Sequence, residues 1–365
     1  RIINQTTCLM IATTNKIEVQ KVEKSRINEV NWSDLGFGKI FADHMCVVEY
    51  TDGQWGRPII KPYGKLEFSP AISSLHYGQA IFEGLKAYKN SDGEVFIFRP
   101  EKNAARLNKS AHRLCMPELP EELFMECLAQ LTALDSSWVP TGEGESLYIR
   151  PHMFATDEYV GVRPSGSYLF VIFSCPVGKY YTGEIKVKIE PAFTRAAKGG
   201  TGHAKAAGNY AAALYPAKLA QDSGYNQMLW TDAETHQYFE ESGTMNVIFK
   251  KGNTLFTPAL SDSILDGVTR DSVLQVARDW GYNVEERKVS VAEVMEAIEN
   301  GELDEAFGAG TAATIAPIRV INYKGVDYTL RPYTEWEFAP KVSAFLDSLK
   351  RGRETDSHHW NKRIV

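Results

Sequence analysis

Strand-like and helix-like stretches follow one another along these 365 residues without a regular β-α-β alternation, which argues for an α+β fold over a doubly wound parallel sheet. Residues 1–35 are polar and weakly patterned, an irregular lead-in. Alternation begins over 37–49, and Gly53 to Gly56 reads as a turn between strands. Residues 94–99 form a strand stopped by Pro100, followed by helical spacing through Ala105, Leu107, Ala111 and Leu114. A second helix follows Pro120, and strands are expected at 146–150 and 168–175. Residues 176–183 carry one proline and two glycines and read as a linker between a smaller N-terminal domain (1–175) and a C-terminal domain (184–365). That second part opens with a strand at 185–190 and a Gly/Ala-rich loop. A helix over 210–221, a strand at 227–230 and a hairpin turning at Gly252-Asn253 come next. Helices at 269–280 and 334–349 follow, and the tail after Arg351 reads as frayed.

A hydrophobic fraction of 44% and a charged fraction of 24% are those of an ordinary globular protein. The net charge of -6 gives no electrostatic reason for a nucleic-acid or anionic-membrane partner. No apolar run approaches the roughly 20 residues that span a bilayer. The apolar stretch at 8–12 is too short for a signal-peptide core, and an N-terminal end poor in arginine does not support organelle import. Position 1 is not methionine, and Met10 is the expected natural start. Cys8, Cys46, Cys115, Cys127 and Cys175 show no C-x-x-C spacing and lie in or beside apolar segments. They read as free buried thiols of a reducing compartment, the cytosol, with no zinc site.

The chemistry concentrates in His203-Ala204-Lys205-Ala206-Ala207-Gly208-Asn209-Tyr210. A lysine amine with a flexible stem can form and exchange imines with carbonyls, and small neighbours let a flat ring lie against the backbone. Lys198, beside Gly199-Gly200, and Lys218, four residues before Asp222, compete less well. Glu240-Glu241 ends a strand, so only one of the two carboxylates can face a common site, where it would keep a pyridine nitrogen protonated. Asp266 to Arg270 opens a helix whose Val268 and Thr269 N–H groups can hold a phosphate. Gly308 to Thr314 is a second small-residue loop, and Arg106 offers a bidentate charge. Tyr77, Phe82, Tyr148 and Arg150 form an aromatic and basic cluster. Tyr148 and Arg150 share a strand face and read either as pocket wall and carboxylate binder or as a core tyrosine beside a salt-bridged arginine.

Taken in order, Phe37 to Met45, Phe82-Glu83-Gly84, Phe98-Arg99-Pro100 with Asn103 and Arg106, Tyr148-Ile149-Arg150-Pro151, Lys205 to Tyr210, Glu241 to Asn246 and Gly310-Thr311-Ala312 closely resemble the branched-chain amino acid aminotransferases. The resemblance runs from about Phe37 to Pro317. It implies a pyridoxal 5'-phosphate (PLP) enzyme of fold type IV, with a small N-terminal α/β domain and a larger C-terminal domain built around a mixed β-barrel. It also implies transfer of the amino group of L-leucine, L-isoleucine or L-valine to 2-oxoglutarate by a ping-pong route. Lys205 would carry the cofactor covalently and act as base in the 1,3-proton shift. Glu241 would pair with the pyridine nitrogen, Tyr210 would hold the ring oxygen, and Arg106, Val268, Thr269 and Thr311 would grip the phosphate. Phe37, Phe82, Tyr148, Val162 and Tyr180 would line an aliphatic pocket, with Tyr77, Thr244 and Ala312 near the α-carboxylate and Arg150 on the distal carboxylate of glutamate. Family members are homodimers. Vertebrate members carry a C-x-x-C redox pair where this chain has Ala313-Thr314-Ile315-Ala316. A D-amino acid aminotransferase and 4-amino-4-deoxychorismate lyase are the rival readings, because one scaffold hosts several reactions.

Overall fold

Two sheets carry the fold. The computed structural model describes residues 16–180 and 183–365; Met10, Cys8 and positions 181–182 of the expected linker lie outside the described residues. The first sheet takes β1 (Glu18–Val19), β2 (His44–Thr51), β3 (Gln54–Trp55), β4 (Ile59–Pro62), β5 (Ala80–Phe82), β6 (Leu85–Lys89), β7 (Val95–Phe98), β8 (Ser146–Ala155) and β9 (Tyr168–Val177). The second takes β10 (Ile185–Ile189), β11 (Gln227–Thr231), β12 (Phe239–Ser242), β13 (Met245–Lys251), β14 (Thr254–Pro258), β15 (Asn283–Arg287), β16 (Glu305–Gly310), β17 (Thr314–Tyr323) and β18 (Val326–Thr329). A last strand, β19 (Asn361–Arg363), returns to the first sheet.

In the first sheet β8 and β9 pair antiparallel along their full length, from Ser146 opposite Val177 to Ala155 opposite Tyr168. The sequence places the end of β8 before Pro151, yet the strand continues through it. On its other edge β8 pairs with β6 up to Ile149 and with β5 from His152, so Pro151 falls at the changeover where the ladder needs no N–H from it. Its carbonyl accepts from the Glu83 N–H at 2.7 Å, which fixes Phe82-Glu83-Gly84 in the gap between the two short strands. Two helices, α2 (Pro100–Arg113) and α3 (Glu121–Leu134), cover one face after a short α1 (Ser73–Tyr77). Leu107 and Ala111 of α2 and Phe124, Leu128 and Leu131 of α3 bury against Val48, Ile97, Leu147 and Phe170 of the sheet. That apolar spacing is the one the sequence shows.

In the second sheet β12, β11, β10, β17, β16 and β13 lie side by side, and a β12–β13 hairpin joins the two ends. The result is a closed six-stranded β-barrel with a mixed ladder: β10 runs parallel to both of its neighbours, and β16 antiparallel to both of its own. Closure leaves the six ring strands without a free edge. Val187, Leu229, Val247, Phe249, Ala306 and Ile318 belong to its buried apolar core. The remaining helices are α4 (Ala207–Asp222), α5 (Val268–Asp279), α6 (Val291–Glu299) and α7 (Phe338–Lys350). Residues of α5 and α7 share a core with Tyr88 and Phe98 of the first sheet, so the two sheets are joined through helix packing.

Three sequence expectations shift. Pro176 and Val177 belong to β9 and not to a linker, because their partners Leu147 and Ser146 continue the ladder. The last helix starts at Phe338, where the Glu305 carboxylate accepts the N–H groups of Glu337, Phe338 and Ala339 and so caps it from outside. The tail is not frayed: Asn361 to Arg363 pair antiparallel with Phe98 to Phe96 of β7. Trp360 anchors it, its ring 5.6 Å from that of Phe98 and 4.7 Å beneath the Arg99 guanidinium.

Candidate active site

A cavity of about 520 Å³ opens between the two sheets, within the size range of small-molecule sites. Lys205 reaches it from the segment just before α4, which starts at Ala207 and leaves a shorter loop than the sequence implies. Its backbone is pinned on both sides: its N–H donates to Ser110 Oγ of α2 at 2.9 Å, and its carbonyl accepts from the Phe82 N–H at 3.1 Å. The small residues around it serve close packing. A Cβ on Gly202 would stand 2.6 Å from the Ser263 Cα, and Ala204 and Ala206 are buried. The Lys205 ammonium donates to Tyr210 Oη at 3.0 Å and lies 4.8 Å from the Phe82 ring centre. Lys218 instead pairs with Asp222 on the exposed side of α4, and Lys198 is exposed.

The two glutamates divide as strand alternation requires. Glu241 lines the cavity, accepts the Leu265 N–H at 2.7 Å and faces Arg195 Nε at 3.3 Å. Glu240 points the other way, to the Ser263 hydroxyl. Both are buried, so neither forms a solvated strand edge. Burial pushes the Glu241 carboxyl up, against the opposing pull of Arg195 and the Leu265 N–H.

At the far end Val268 and Thr269 open α5, and Thr311 follows β16. A Cβ on Gly267 would meet Asn246 Oδ1 at 2.0 Å, so only glycine lets the helix start come this close to β13. Arg106 reaches the same end, already engaged. Its Nε and Nη2 donate to the two carboxylate oxygens of Glu83 at 2.7 and 2.8 Å, and its Nη1 to the Asp266 carbonyl at 2.8 Å. Burial alone would raise Glu83, yet the Arg106 charge and hydrogen bonds hold it below the usual carboxylate range. The ion pair therefore orients a fixed cation on the cavity.

The opposite end is aromatic. Phe37 meets Tyr148 and Tyr180 edge-on at 5.1 and 5.0 Å. A Cβ on Gly84 would clash with the Tyr148 hydroxyl at 2.2 Å, so the Phe-Glu-Gly segment lets that ring in. Arg150 Nη2 donates to Tyr148 Oη at 2.8 Å, and its guanidinium lies 4.6 Å from the Phe82 ring centre. No carboxylate among the described residues forms an ion pair with Arg150, and its buried Nε has no partner. The salt-bridged alternative therefore lacks its acid.

Phe37, Phe82, Arg106, Tyr148, Arg150, Tyr180, Lys205, Tyr210, Glu241, Thr244, Val268, Thr269, Thr311 and Ala312 all line the one cavity. Tyr77 and Val162 do not. Tyr77 ends α1 at 42% exposure, and Val162 sits on a loop at 87% exposure, outside the cavity of its own chain. Glu83, Arg195 and Asn246 escape the sequence reading as functional residues. Glu83 and Asn246 lie within the quoted motifs, but Arg195 has no motif to mark it.

A lysine, an opposed carboxylate, an aromatic floor and an N-terminal helix cradle fit a phosphorylated pyridine ring. The donor set suits each of its ends: a carboxylate for the ring nitrogen, a phenol for the ring oxygen, and an arginine with backbone N–H groups for the phosphate. Comparisons with known proteins agree. Residues 80–321 match the family described as amino-transferase class IV. Branched-chain-amino-acid aminotransferase 2 of Bacillus subtilis is 42% identical over 360 residues, covering 98% of this chain and 98% of that protein. The crystal structure of the branched-chain aminotransferase from Thermoproteus uzoniensis with norvaline superposes with a TM-score of 0.73 at 25% identity, covering 88% of this chain and 100% of that one. The branched-chain amino acid aminotransferase from Thermobaculum terrenum in its PLP form shares the fold, with a TM-score of 0.69 at 23% identity over 88% of this chain and 98% of that one. With the domain family and near full-length similarity in agreement, the chain belongs to the class IV aminotransferases and, within them, to the branched-chain-amino-acid aminotransferases.

Proposed function

We propose that the protein transfers the amino group of L-leucine, L-isoleucine or L-valine to 2-oxoglutarate, with PLP as cofactor. Bound in the cavity, PLP supplies an aldehyde that carries the amino group and a pyridine ring that withdraws electrons from the reacting carbon. The remaining work belongs to the chain. Lys205, hydrogen-bonded to Tyr210, is placed to take and return a proton beside the reacting carbon. Glu241 holds a proton at the ring nitrogen, and Arg106, oriented by Glu83, grips the phosphate with Val268, Thr269 and Thr311. Phe37, Tyr148 and Tyr180 exclude water around an aliphatic side chain.

The observation that carries this reading is Arg150: a half-buried, acid-free guanidinium, its Nε buried, inside an aromatic wall. Such a wall accepts an aliphatic chain, and its one cation accepts the distal carboxylate of glutamate. Steady-state rates with L-leucine, D-alanine and 4-amino-4-deoxychorismate test it. Turnover of L-leucine with 2-oxoglutarate supports the reading, and preferential turnover of either other compound overturns it.

The functional unit in this reading is a homodimer. Leu75 and Tyr77 on α1, with Tyr159, Val160 and Val162 on the segment beside it, are exposed apolar residues. Backbone hydrogen bonds from Ser73 to Asp157 and from Tyr159 to Ala71 hold the two segments together. A second copy covering this face would bury it and explain why Val162 serves no site in its own chain. Sedimentation of wild type against Val160→Asp tests the assembly. The same reading divides the chain after β9, near 178–183, into two domains, with β19 returning to the first. Among the described residues, three buried free thiols suit a reducing, cytosolic setting.

A further inference from the structure

Behind the proposed phosphate cradle lies a second, smaller cavity of about 20 Å³, room for roughly one water. Val268, Thr269 and Thr311 line it on the cradle side, and Lys86 and Lys350 line it from below. Both lysines are buried, at 7% and 5% exposure. Lys86 Nζ donates to the Ala312 carbonyl at 2.8 Å, one residue past Thr311. Lys350, on the last turn of α7, has only a long 3.4 Å contact to Thr314 Oγ1 and the rings of Phe98 and Tyr88 at 5.2 and 5.6 Å. Neither ammonium forms an ion pair with a carboxylate among the described residues. The nearby Asp347 is already engaged by Arg351 at 3.2 Å.

Two buried cations that share one carboxylate, Asp347, itself paired with Arg351, are costly unless a further anion is supplied from outside the chain. The adjoining space built for an anion is the cradle. We propose that Lys86 and Lys350 form a cationic floor beneath the phosphate, acting through the Ala312 carbonyl and the water-sized chamber, so that the phosphate of the cofactor completes their charge balance. This rests on the PLP reading above and assigns two residues to cofactor recognition that the motifs do not mark. Burial, with the Lys350 and Arg351 charges and against the pull of Asp347, pushes Lys86 down to about 7, and burial with the Arg351 charge, again against Asp347, pushes Lys350 down to about 8. A bound dianion relieves that penalty.

The test compares PLP with pyridoxal, which shares the aldehyde and ring but lacks the phosphate. Dissociation constants of both are measured by absorbance titration of the apoenzyme for wild type, Lys86→Met and Lys350→Met. Apoenzyme melting temperatures are recorded alongside. The floor predicts that each variant weakens PLP by about tenfold to a hundredfold, the range for a charge-assisted contact, while pyridoxal changes little. Lys350→Met should also melt no lower than wild type as apoenzyme, because it removes an unpaired buried charge. Equal weakening of PLP and pyridoxal, or no weakening of either, overturns the floor. A wild-type apoenzyme that binds neither compound overturns the PLP reading itself. Lys86→Gln and Lys350→Gln take the place of any methionine variant that does not fold.

Discussion

Arg195 Nε lies 3.3 Å from Glu241 Oε2, with both side chains buried. The guanidinium also donates from Nη2 to the carbonyls of Gly202, at 3.1 Å, and of Ser263. It therefore ties the lysine-bearing segment, the loop before α5 and the carboxylate into one unit. Because burial raises the Glu241 carboxyl and Arg195 opposes that rise, removing the charge should raise it further. Arg195→Gln is expected to move the acidic limb of the kcat profile upward by about 1 unit or more, as the loss of an opposite charge at this range produces. An unchanged limb with a uniformly lower rate would show Arg195 to be a structural tie only.

Glu240 and Glu241 should separate by two different measurements. Glu241→Gln is expected to lower turnover by orders of magnitude, since an amide cannot hold a proton on the ring nitrogen, and Glu240→Gln to have a mild effect. Stability should show the reverse sensitivity. Burial lifts Glu240 from 4.5 to about 7, partly opposed by the Ser263 hydroxyl. A raised carboxyl favours the folded state fully below its unfolded value, and that contribution is lost as pH rises through the folded one. The melting temperature of wild type should therefore fall between pH 5 and about 8 relative to that of Glu240→Gln. Parallel melting curves for the two proteins would remove the carboxyl from the account.

Arg150→Met should raise KM for glutamate far more than KM for leucine. Losing a charge-assisted hydrogen bond of roughly 1.5–3 kcal/mol corresponds to about tenfold to a hundredfold. Equal losses for both substrates would make Arg150 a support for Tyr148, to which it donates at 2.8 Å.

Lys205→Ala should abolish turnover and any borohydride-reducible covalent bond between PLP and the protein, while noncovalent binding persists. Mass spectrometry after reduction reads the result directly. Label retained in the variant would transfer the role to another lysine, Lys198 first.

Activity should survive mild peroxide. Alanines stand at 313 and 316, so no disulfide can switch the enzyme there. Among the described cysteines only Cys115 is exposed, contrary to the expectation that all would be buried. Cys175 packs behind Tyr148 and Phe37, and burial pushes its thiol up to about 11, which disfavours the reactive thiolate. A large loss of activity restored by dithiothreitol would point to Cys175.

Much of this is legible in the sequence because motif and element coincide. Phe82-Glu83-Gly84, Lys205 to Tyr210 and Glu241 to Asn246 each lie at an element's end, where local spacing and chemistry agree. What escapes is non-local. Arg195 and Lys350 act through residues tens to hundreds of positions away, and no periodicity encodes that. Pro151 reads by its usual rule as a strand stop, because the change of partner that tolerates it exists only in the assembled sheet. The tail reads as frayed because three polar residues show no strand pattern; their pairing depends on Trp360 finding Phe98.

The return of β19 to β7 sets an order on the folding of a chain made from its N-terminus. About 260 residues separate Phe98 from the strand that covers it. At ~5–20 residues per second a ribosome needs on the order of tens of seconds to supply them. Through that interval Val95 to Phe98, an apolar edge beside the helix that carries Arg106, stands uncapped on the nascent protein. The first sheet is thus completed only after residues 361–363 have been made, and until then its β7 edge is open to pairing with a neighbour.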